Sequence, residues 1–290
     1  MNINTRFFIG FLALNLSISA VQGQTGLTGK IAFVKKGDLY LLHLDNGLVQ
    51  RLTATTSTEY TPRLSPDGTR IAFYSVRKTI LDGIYVMQAA PEGPANPRIR
   101  LTTFGIDPAW SPDGARIAFR SNDRGIWLMN ADGSGQVQLT THGGDPAWSP
   151  DGTQIVFRCH VYCGHVDNEL HVVNANASAL DQDQQLLAFP GDDLRPAWAP
   201  SGKIVFSHYI GSKIINDYDL FTFDPATLGL TYLTSGSAYG DVWPAWSPDA
   251  AWIIFVRYTI STSGIYLMPA DGSQMPTLIL KGGDQPSWGA

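Results

Sequence analysis

Six acidic residues recur along the chain, each one to three residues before a proline. Carboxylates that converge in a folded protein repel one another, and a divalent cation such as calcium, or a basic partner segment, relieves that repulsion. Each acid could instead accept a backbone N–H bond and close its own turn. The sequence leaves both interpretations open for Glu59, Asp107, Asp145, Asp193, Asp241 and Asp284.

Aromatic, histidine and charged residues gather in a second set of positions. Residues 158–168 and 207–217 are predicted to be long loops, and binding residues usually lie on loops that a rigid scaffold carries. A mixed aromatic and polar surface suits recognition of a protein, peptide or glycan partner. The candidates for this loop face are His160, Tyr162, His165, His208, Tyr209, Arg257 and Tyr258.

The only two cysteines, Cys159 and Cys163, both lie in the first of these predicted loops. In an exported protein, such a pair indicates a disulfide that closes the loop. The alternative is a zinc site in which these cysteines act with His160 and His165, whose side chains are zinc ligands.

The amino-terminal residues and the charge indicate where the protein acts. Arg6 and the apolar run from Phe7 to Ala20 predict a secretory signal peptide, cleaved after Ala20 or Gly23. Residues 24–290 are then the exported domain, in the periplasm or outside the cell, with no further membrane span. The net charge is −5, whereas nucleic-acid binding calls for a basic excess, so a nucleic-acid partner is not indicated.

A repeated hairpin supplies the framework for these residues. Asp107 to Phe119, DPAWSPDGARIAF, combines two strand segments with a Ser-Pro-Asp-Gly turn, whose proline and glycine supply the backbone angles of a tight turn. The proline before the turn recurs at spacings of 38 to 50 residues, which is typical of propeller blades. Its copies are Pro62, Pro108, Pro146, Pro196, Pro244 and Pro286.

Each repeat predicts four short strands, and six repeats predict an all-β, six-bladed propeller. The first repeat, from Lys30, lacks the Pro-x-Trp strand, whereas residues 284–289 carry that strand and little more. We therefore expect the carboxyl-terminal strand to complete the first blade, which leaves no unpaired sheet edge and favours a monomer. The tryptophans are expected to be wedged between blades, and they are Trp110, Trp148, Trp198, Trp246 and Trp288.

The PxWSPDG-x-x-IAF repeat resembles the propeller blades of TolB, the periplasmic protein of the Tol-Pal envelope system, and related WD-like repeats. The resemblance covers residues 30–290 and implies a propeller in the cell envelope. TolB carries an additional amino-terminal α/β domain before its propeller. Here the first repeat begins about where the predicted signal peptide ends, so we expect that domain to be absent.

The sequence favours a binding protein over an enzyme. It contains no G-x-S-x-G nucleophile elbow, no H-E-x-x-H pair, no phosphate-binding glycine loop and no EF-hand loop. A metal-assisted hydrolase or lyase at the channel mouth, using the acids with His142, His160 or His208, is the alternative. A further alternative is the propeller part of a peptidase of the prolyl-oligopeptidase kind whose hydrolase domain is encoded elsewhere.

Overall fold

The computed structural model describes residues 27–77, 80–122, 125–159, 167–187, 190–211, 217–235, 239–259 and 261–290. Over these residues the chain forms 24 strands arranged as six four-stranded antiparallel sheets, with no helix. The predicted six-bladed propeller is confirmed. No helix capable of crossing a membrane occurs in this described part of the chain.

The first three blades contain strands β1 to β11 and the carboxyl-terminal strand. Blade 1 consists of β24 (Asp284–Gly289), β1 (Lys30–Lys35), β2 (Asp38–His43) and β3 (Val49–Arg51). Blade 2 consists of β4 (Thr58–Leu64), β5 (Arg70–Arg77), β6 (Ile80–Gln88) and β7 (Ile99–Arg100). Blade 3 consists of β8 (Ile106–Trp110), β9 (Arg116–Arg120), β10 (Ile126–Asn130) and β11 (Val137–Gln138).

The remaining three blades follow the same order from the innermost to the outermost strand. Blade 4 consists of β12 (Gly144–Trp148), β13 (Gln154–Cys159), β14 (Glu169–Asn174) and β15 (Gln184–Leu187). Blade 5 consists of β16 (Asp193–Trp198), β17 (Ile204–Tyr209), β18 (Tyr218–Asp224) and β19 (Gly229–Tyr232). Blade 6 consists of β20 (Gly240–Trp246), β21 (Trp252–Tyr258), β22 (Ser263–Pro269) and β23 (Thr277–Lys281).

The ring closes through the two ends of the described chain. Strand β24 pairs antiparallel with β1, so that Ile31 lies opposite Trp288 and Lys30 opposite Gly289. The predicted completion of the first blade by the carboxyl-terminal strand is therefore confirmed. Closure leaves the innermost strands around a central channel and removes the edge that an open array would expose.

The core lies between neighbouring blades rather than within any one of them. One buried cluster, for example, contains Ala118 and Ile126 from blade 3 together with Trp148 and Phe157 from blade 4. The second strand of every blade contributes a phenylalanine that is fully buried, and burying such a side chain stabilises the fold by about 1.5–3 kcal/mol. These residues are Phe33, Phe73, Phe119, Phe157, Phe206 and Phe255.

The repeated tryptophans join the blades, as the sequence predicts. The Trp148 indole N–H donates to the Ala109 carbonyl of blade 3 at 3.0 Å, and Trp246 makes the equivalent bond to Ala197 of blade 5 at 2.9 Å. Trp198 differs, because its indole donates to Gly202 of its own blade at 2.9 Å. The indoles therefore fill the gaps between blades and satisfy their own donors, so their conspicuous repetition is explained by folding.

The Ser-Pro-Asp-Gly turns are closed by their own side chains. In blade 3, the Ser111 hydroxyl donates to Asp113 Oδ1 at 2.5 Å, and that oxygen also accepts the Ala115 backbone N–H at 3.0 Å. Gly114 has a φ of 68°, which a glycine adopts without strain. These contacts hold the innermost and second strands in register without any ligand.

Candidate binding site in the central channel

Every innermost strand contains a bulge directly before its proline. The pairing register shifts there, for example between Ile106 and Ala109 in blade 3, and the residue before the proline has a φ between 47° and 58°. Non-glycine residues rarely adopt such angles, and a bulge redirects its side chain. The six residues at this position are Thr61, Asp107, Asp145, Arg195, Trp243 and Gln285.

Asp107 and Asp145 are brought together in the channel by Arg195. The Arg195 Nη1 atom pairs with Asp145 Oδ1 and lies 3.7 Å from Asp107 Oδ1. From the second strands, Arg158 Nε lies 2.8 Å from Asp145 Oδ2, and Arg120 Nε lies 3.5 Å from Asp107 Oδ2. Each carboxylate is therefore shared between two guanidinium groups.

Arg63 adds a further positive charge at the same level. It occupies the position after the proline that alanine fills in blades 3 to 6, and its side chain lines the channel together with Asp107 and Asp145. Burial lowers the pKa of Arg63, and the nearby carboxylates partly offset this effect. Four guanidinium groups thus surround Asp107 and Asp145 and outnumber them at this level, while Asp192 acts more weakly on Arg158 and Asp284 interacts with Arg195.

The pKa values of the two channel carboxylates are shifted in opposite directions. Burial and the negative charge of Asp145 raise the pKa of Asp107, and Arg195, Arg120 and Arg63 offset this only in part. Burial also raises the pKa of Asp145, but its ion pairs with Arg195 and Arg158 outweigh burial and hold that pKa below its usual range. The two shifts therefore have opposite signs, with ionisation favoured at Asp145 and opposed at Asp107.

This charged layer lines one end of a cavity of about 460 Å³. Its walls are mostly apolar, and the Arg195 guanidinium lies 3.6 Å from the centre of the Trp243 ring, a close cation–π contact. The cavity extends from Asp107, Asp145 and Arg195 to the prolines of the hairpin turns. Those turn prolines are Pro66, Pro112, Pro150, Pro200 and Pro248.

The other acids of the predicted set do not join Asp107 and Asp145. Glu59 pairs with Arg98 at 3.1 Å, Asp193 bonds His208 at 2.7 Å, and Asp241 makes two 2.7 Å bonds to Arg257. Asp284 accepts the Tyr258 hydroxyl at 2.9 Å and the Gln285 backbone N–H at 2.8 Å. Asp284 therefore shows the local backbone bond that the turn interpretation requires, whereas these other three acids bind side chains of their own blades.

The loop-face candidates divide between strands and residues that the structure does not describe. Strand β17 includes His208 and Tyr209, so the loop predicted from residue 207 begins later, and His208 is only 3% exposed. Strand β21 includes Arg257 and Tyr258, the partners of two of the acids. His160, Tyr162 and His165 lie outside the described residues. Cys159 is buried and disulfide-bonded, and Cys163, its predicted partner, also lies outside them.

Sequence reasoning missed the basic and aromatic members of the channel. Arg195 and Trp243 occupy the position that Asp107 and Asp145 occupy in their blades, and Arg63 replaces an alanine. The sequence signal for these residues is a departure from the repeated DPAW pattern. Blades 5 and 6 have Arg and Trp in place of the Asp, and blade 2 reads TPRL, with Arg in place of the Ala. The six acids form one set in the sequence although they stand one, two or three residues before the proline, and only the position directly before it lies at the bulge.

Comparison with known proteins identifies the family. The PD40 model, described as the TolB beta propeller domain, matches residues 100–290. The chain belongs to the TolB β-propeller family. Among solved structures, TolB from Acinetobacter baumannii superposes with a TM-score of 0.72 at 20% identity, covering 90% of this chain and 66% of that one.

Two curated relatives match shorter stretches. A TolB homologue of Chlorobium luteolum is 31% identical over 99 residues, which are 33% of this chain and 22% of the relative. A tricorn protease homologue of Streptomyces coelicolor is 40% identical over 76 residues, which are 26% of this chain and 7% of the relative. The matched stretches thus span under a quarter of either curated relative. The similarity to the TolB family lies in the propeller domain.

Proposed function

We propose that this TolB-family propeller is an exported, non-enzymatic binding module that takes an acidic segment of an envelope or extracellular protein into its central cavity. The observation that carries the proposal is the charged layer at one end of that cavity, where Arg63 and Arg195 line the wall beside Asp107 and Asp145. From the second strands of blades 3 and 4, Arg120 and Arg158 form ion pairs with these two carboxylates.

Partial exposure makes these guanidinium groups available to a ligand. The side chains of Arg120, Arg158 and Arg195 are 27%, 24% and 29% exposed, although all three belong to the ion-pair network. A carboxylate of a partner can therefore receive charge-assisted hydrogen bonds without the complete desolvation of a buried ion. The same excess of guanidinium groups opposes a cation at this position.

The walls favour a polypeptide as the occupant. Tryptophan and proline side chains line the cavity from the charged layer to the turns, among them Trp110, Trp148 and Trp246. Aromatic surface around a few charged groups is typical of protein recognition, and an extended segment fits a channel along the propeller axis. An acidic residue or a carboxyl terminus would then reach Arg63 and Arg195 while apolar neighbours contact the walls.

The proposal is tested with fluorescent peptides that differ only in charge, measured by anisotropy. Acidic peptides are expected to bind the purified domain, and basic peptides of the same length are expected not to bind. Arg63→Ala is the matched variant, because alanine stands at this position in four other blades. It should weaken binding about tenfold or more, since a charge-assisted bond contributes about 1.5–3 kcal/mol.

Arg51→Ala is the control, because this arginine lies in the outermost strand of blade 1 and is 50% exposed. It should bind acidic peptides as the wild type does. Equal binding of acidic and basic peptides, or an Arg63→Ala variant of full affinity and normal thermal stability, would refute the proposal. Uronic-acid oligosaccharides belong in the same assay, and their binding in place of peptides would assign the cavity to a glycan.

Export and the monomeric state are part of the proposal and have separate tests. The full chain should fractionate to the periplasm or medium with residues 1–23 removed, whereas a chain lacking these residues should stay inside the cell. Light scattering should give the mass of one chain. For the loop face, crosslinking in a native envelope extract should capture a partner whose recovery falls when His160, Tyr162 and His165 are replaced by alanine.

A metal-assisted hydrolase or lyase is the competing function, and the cavity supplies little for it. Its described lining contains carboxylates and guanidinium groups but no histidine. Elemental analysis of the purified domain distinguishes the two functions. Stoichiometric calcium or manganese that is released by Asp107→Ala and Asp145→Ala would favour the enzyme and oppose the binding module.

A further inference from the structure

A second polar site lies at the outer side of blade 4, away from the channel. His142, in the connection from β11 to β12, lies between two carboxylates that precede β15. Its Nδ1 is 3.3 Å from Asp181 Oδ1, and its Nε2 is 3.2 Å from Asp183 Oδ1. His171 Nδ1, on strand β14, lies 2.7 Å from the other oxygen of Asp183. Two histidines and two aspartates therefore form one continuous cluster.

Blade 3 has apolar aromatic residues at the equivalent positions. There LTTFG corresponds to LTTHG of blade 4, so Phe104 is the equivalent of His142. Phe104 lies 5.7 Å from the ring of Phe119 and 5.5 Å from Trp127, which is the equivalent of His171. An apolar aromatic group thus completes the junction in blade 3.

Blade 4 keeps the central phenylalanine and replaces both flanking rings by histidine. The rings of His142 and His171 lie 6.1 Å and 5.9 Å from Phe157. At the position of His171, every other blade has Tyr, Trp or Phe packed on the same core phenylalanine. Packing therefore does not require an imidazole ring here. Both histidines, His142 and His171, face the carboxylate of Asp183.

The cluster is partly enclosed but open to solvent on one side. The side chains of His142, His171 and Asp183 are 12%, 8% and 7% exposed, whereas Asp181 is 38% exposed. Asp181 is held in place by Thr141, whose backbone N–H and hydroxyl donate to its two oxygens at 2.7 Å and 2.9 Å. An ion can thus enter past Asp181 and meet side chains that already lie close together.

We propose that His142, Asp181 and Asp183 bind a divalent transition metal ion, with zinc as the ion that their chemistry fits. One ligand atom from each of the three lies within 4.8 Å of the others, so small side-chain shifts bring them around one ion. Imidazole nitrogen and carboxylate oxygen are ordinary zinc ligands, and three protein ligands leave a position for water. His171 acts behind the site by orienting Asp183, as outer-shell partners of metal ligands do.

The ion would join two blades. His142 belongs to the segment that leaves blade 3, and Asp181 and Asp183 belong to the outer segment of blade 4, where the Asp181 N–H also donates to the Leu139 carbonyl at 3.1 Å. Because the unfolded chain does not hold these residues together, the ion would stabilise the folded ring at this junction. This site is independent of the proposed peptide cavity.

The test is zinc titration of the tag-free, metal-stripped protein by calorimetry and by competition with a chromophoric chelator. The wild type should bind one zinc ion per chain and melt at a higher temperature with zinc than without it. His142→Phe installs the residue of blade 3 and should fold, yet lose zinc binding and the zinc-dependent rise in melting temperature. Asp183→Asn, which keeps the shape of the side chain, should also lose binding.

Two further variants separate this site from zinc bound elsewhere in the chain. His171→Phe should weaken zinc binding about ten- to a hundredfold, the usual effect of removing an outer-shell partner. A double variant, His160→Ala with His165→Ala, removes the histidines next to the cysteines and should bind zinc normally. Absence of saturable binding, binding unchanged in both His142→Phe and Asp183→Asn, or loss of binding in the double variant would each overturn the proposal.

Discussion

Asp145 in the channel and Asp241 in blade 6 both precede a proline of the repeat, yet their carboxylates lie in different environments and bind different kinds of partner. Asp145 stands directly before its proline, at the bulge, and shares arginines that are 24% and 29% exposed. Asp241 stands two residues earlier and holds Arg257, which is only 12% exposed. An acid at the bulge therefore enters the channel, whereas an acid two residues before it, such as Asp241, pairs within its own blade.

This difference separates the sites where substitution should change binding from those where it should change stability. The blade acids Glu59, Asp193 and Asp241 are at most 1% exposed, and each bonds a basic side chain of its own blade. Asp107 and Asp145 belong to a network of partly hydrated arginines that can rearrange around a ligand. Substitution of a blade acid should therefore alter unfolding, and substitution of a channel acid should alter peptide affinity.

Asp241→Ala should cause the largest loss of stability. It leaves Arg257 without its two 2.7 Å bonds, among the rings of Tyr239 and Tyr266 at 4.9 Å and 5.2 Å. Breaking a buried pair by removing one partner costs about 3–5 kcal/mol. Urea unfolding of the variant measures this loss, and the acidic-peptide affinity of the folded variant should match that of the wild type.

The matched control for Asp241→Ala is Arg51→Ala, which breaks the pair with Asp38 at the surface. Arg51 is 50% exposed, so its loss should cost less than about 1 kcal/mol. If the two variants lose similar free energy of unfolding, or if Asp241→Ala alters peptide affinity in the folded state, the division between blade and channel acids is wrong.

Asp193 should make stability fall as pH rises. Burial raises the pKa of Asp193 to about 6, and the hydrogen bond from His208 only partly opposes this effect. Unfolded aspartate titrates near pH 3.9, so between about pH 4 and 6 the folded state retains a proton that the unfolded state has released. Stability should fall by about 2–3 kcal/mol across this window and change no further from this group at higher pH.

Urea unfolding from pH 4 to 7 measures that slope. Asp193→Asn keeps an oxygen that can accept from His208 and removes the charge, so it should reduce the slope and be at least as stable as the wild type at pH 7. Part of the slope should remain, because burial also raises the pKa of Asp219 to about 6. Asp132→Asn, at an exposed turn, should leave the slope between pH 4 and 6 unchanged. A decrease in stability at pH 7 for Asp193→Asn would show that the ionised carboxylate is the favoured form.

Much of the fold could be predicted because the same sequence pattern recurs in the six blades. Local signals specify each hairpin: proline and glycine set the turn, and alternating burial sets the Pro-x-Trp and Ile-x-Phe strands. Ring closure could also be predicted, since residues 284–289 supply the strand that the first blade lacks. The channel site could not be predicted in the same way, since Arg63 and Trp243 are departures from the repeat. Only the bulge geometry shows that Trp243 and Asp145 occupy one position.

The His142 cluster was equally hidden from the sequence. His142 and Asp183 are separated by 41 residues and meet because the exit segment of blade 3 lies against the outer segment of blade 4. Outer segments vary in length and composition among the blades, so the repeat places neither carboxylate. The signal that the sequence does contain is the change from Phe104 to His142 within otherwise matching segments.

Asp145→Asn should reduce stability modestly and increase affinity for acidic peptides. The amide can still accept one bond, and Arg158 and Arg195 are partly hydrated, so we expect a loss of about 1–2 kcal/mol. Removing this negative charge leaves Arg195 with more positive potential toward the cavity. Anisotropy titration should show tighter binding of acidic peptides by several-fold, and weaker binding would contradict the proposed role of Arg195.

Tyr258→Phe should have the smallest effect and test the acid of blade 1. The Tyr258 hydroxyl donates to Asp284 Oδ1 at 2.9 Å, and loss of this bond should cost about 1 kcal/mol or less. Burial raises the pKa of Asp284, while the tyrosine bond lowers it. The variant should therefore raise that pKa further, so its stability deficit in urea unfolding should be larger at pH 7 than at pH 4. Tyr60→Phe, at a tyrosine 37% exposed, should show no such pH dependence, and an equal deficit at both pH values for Tyr258→Phe would mean that the hydroxyl does not stabilise the carboxylate.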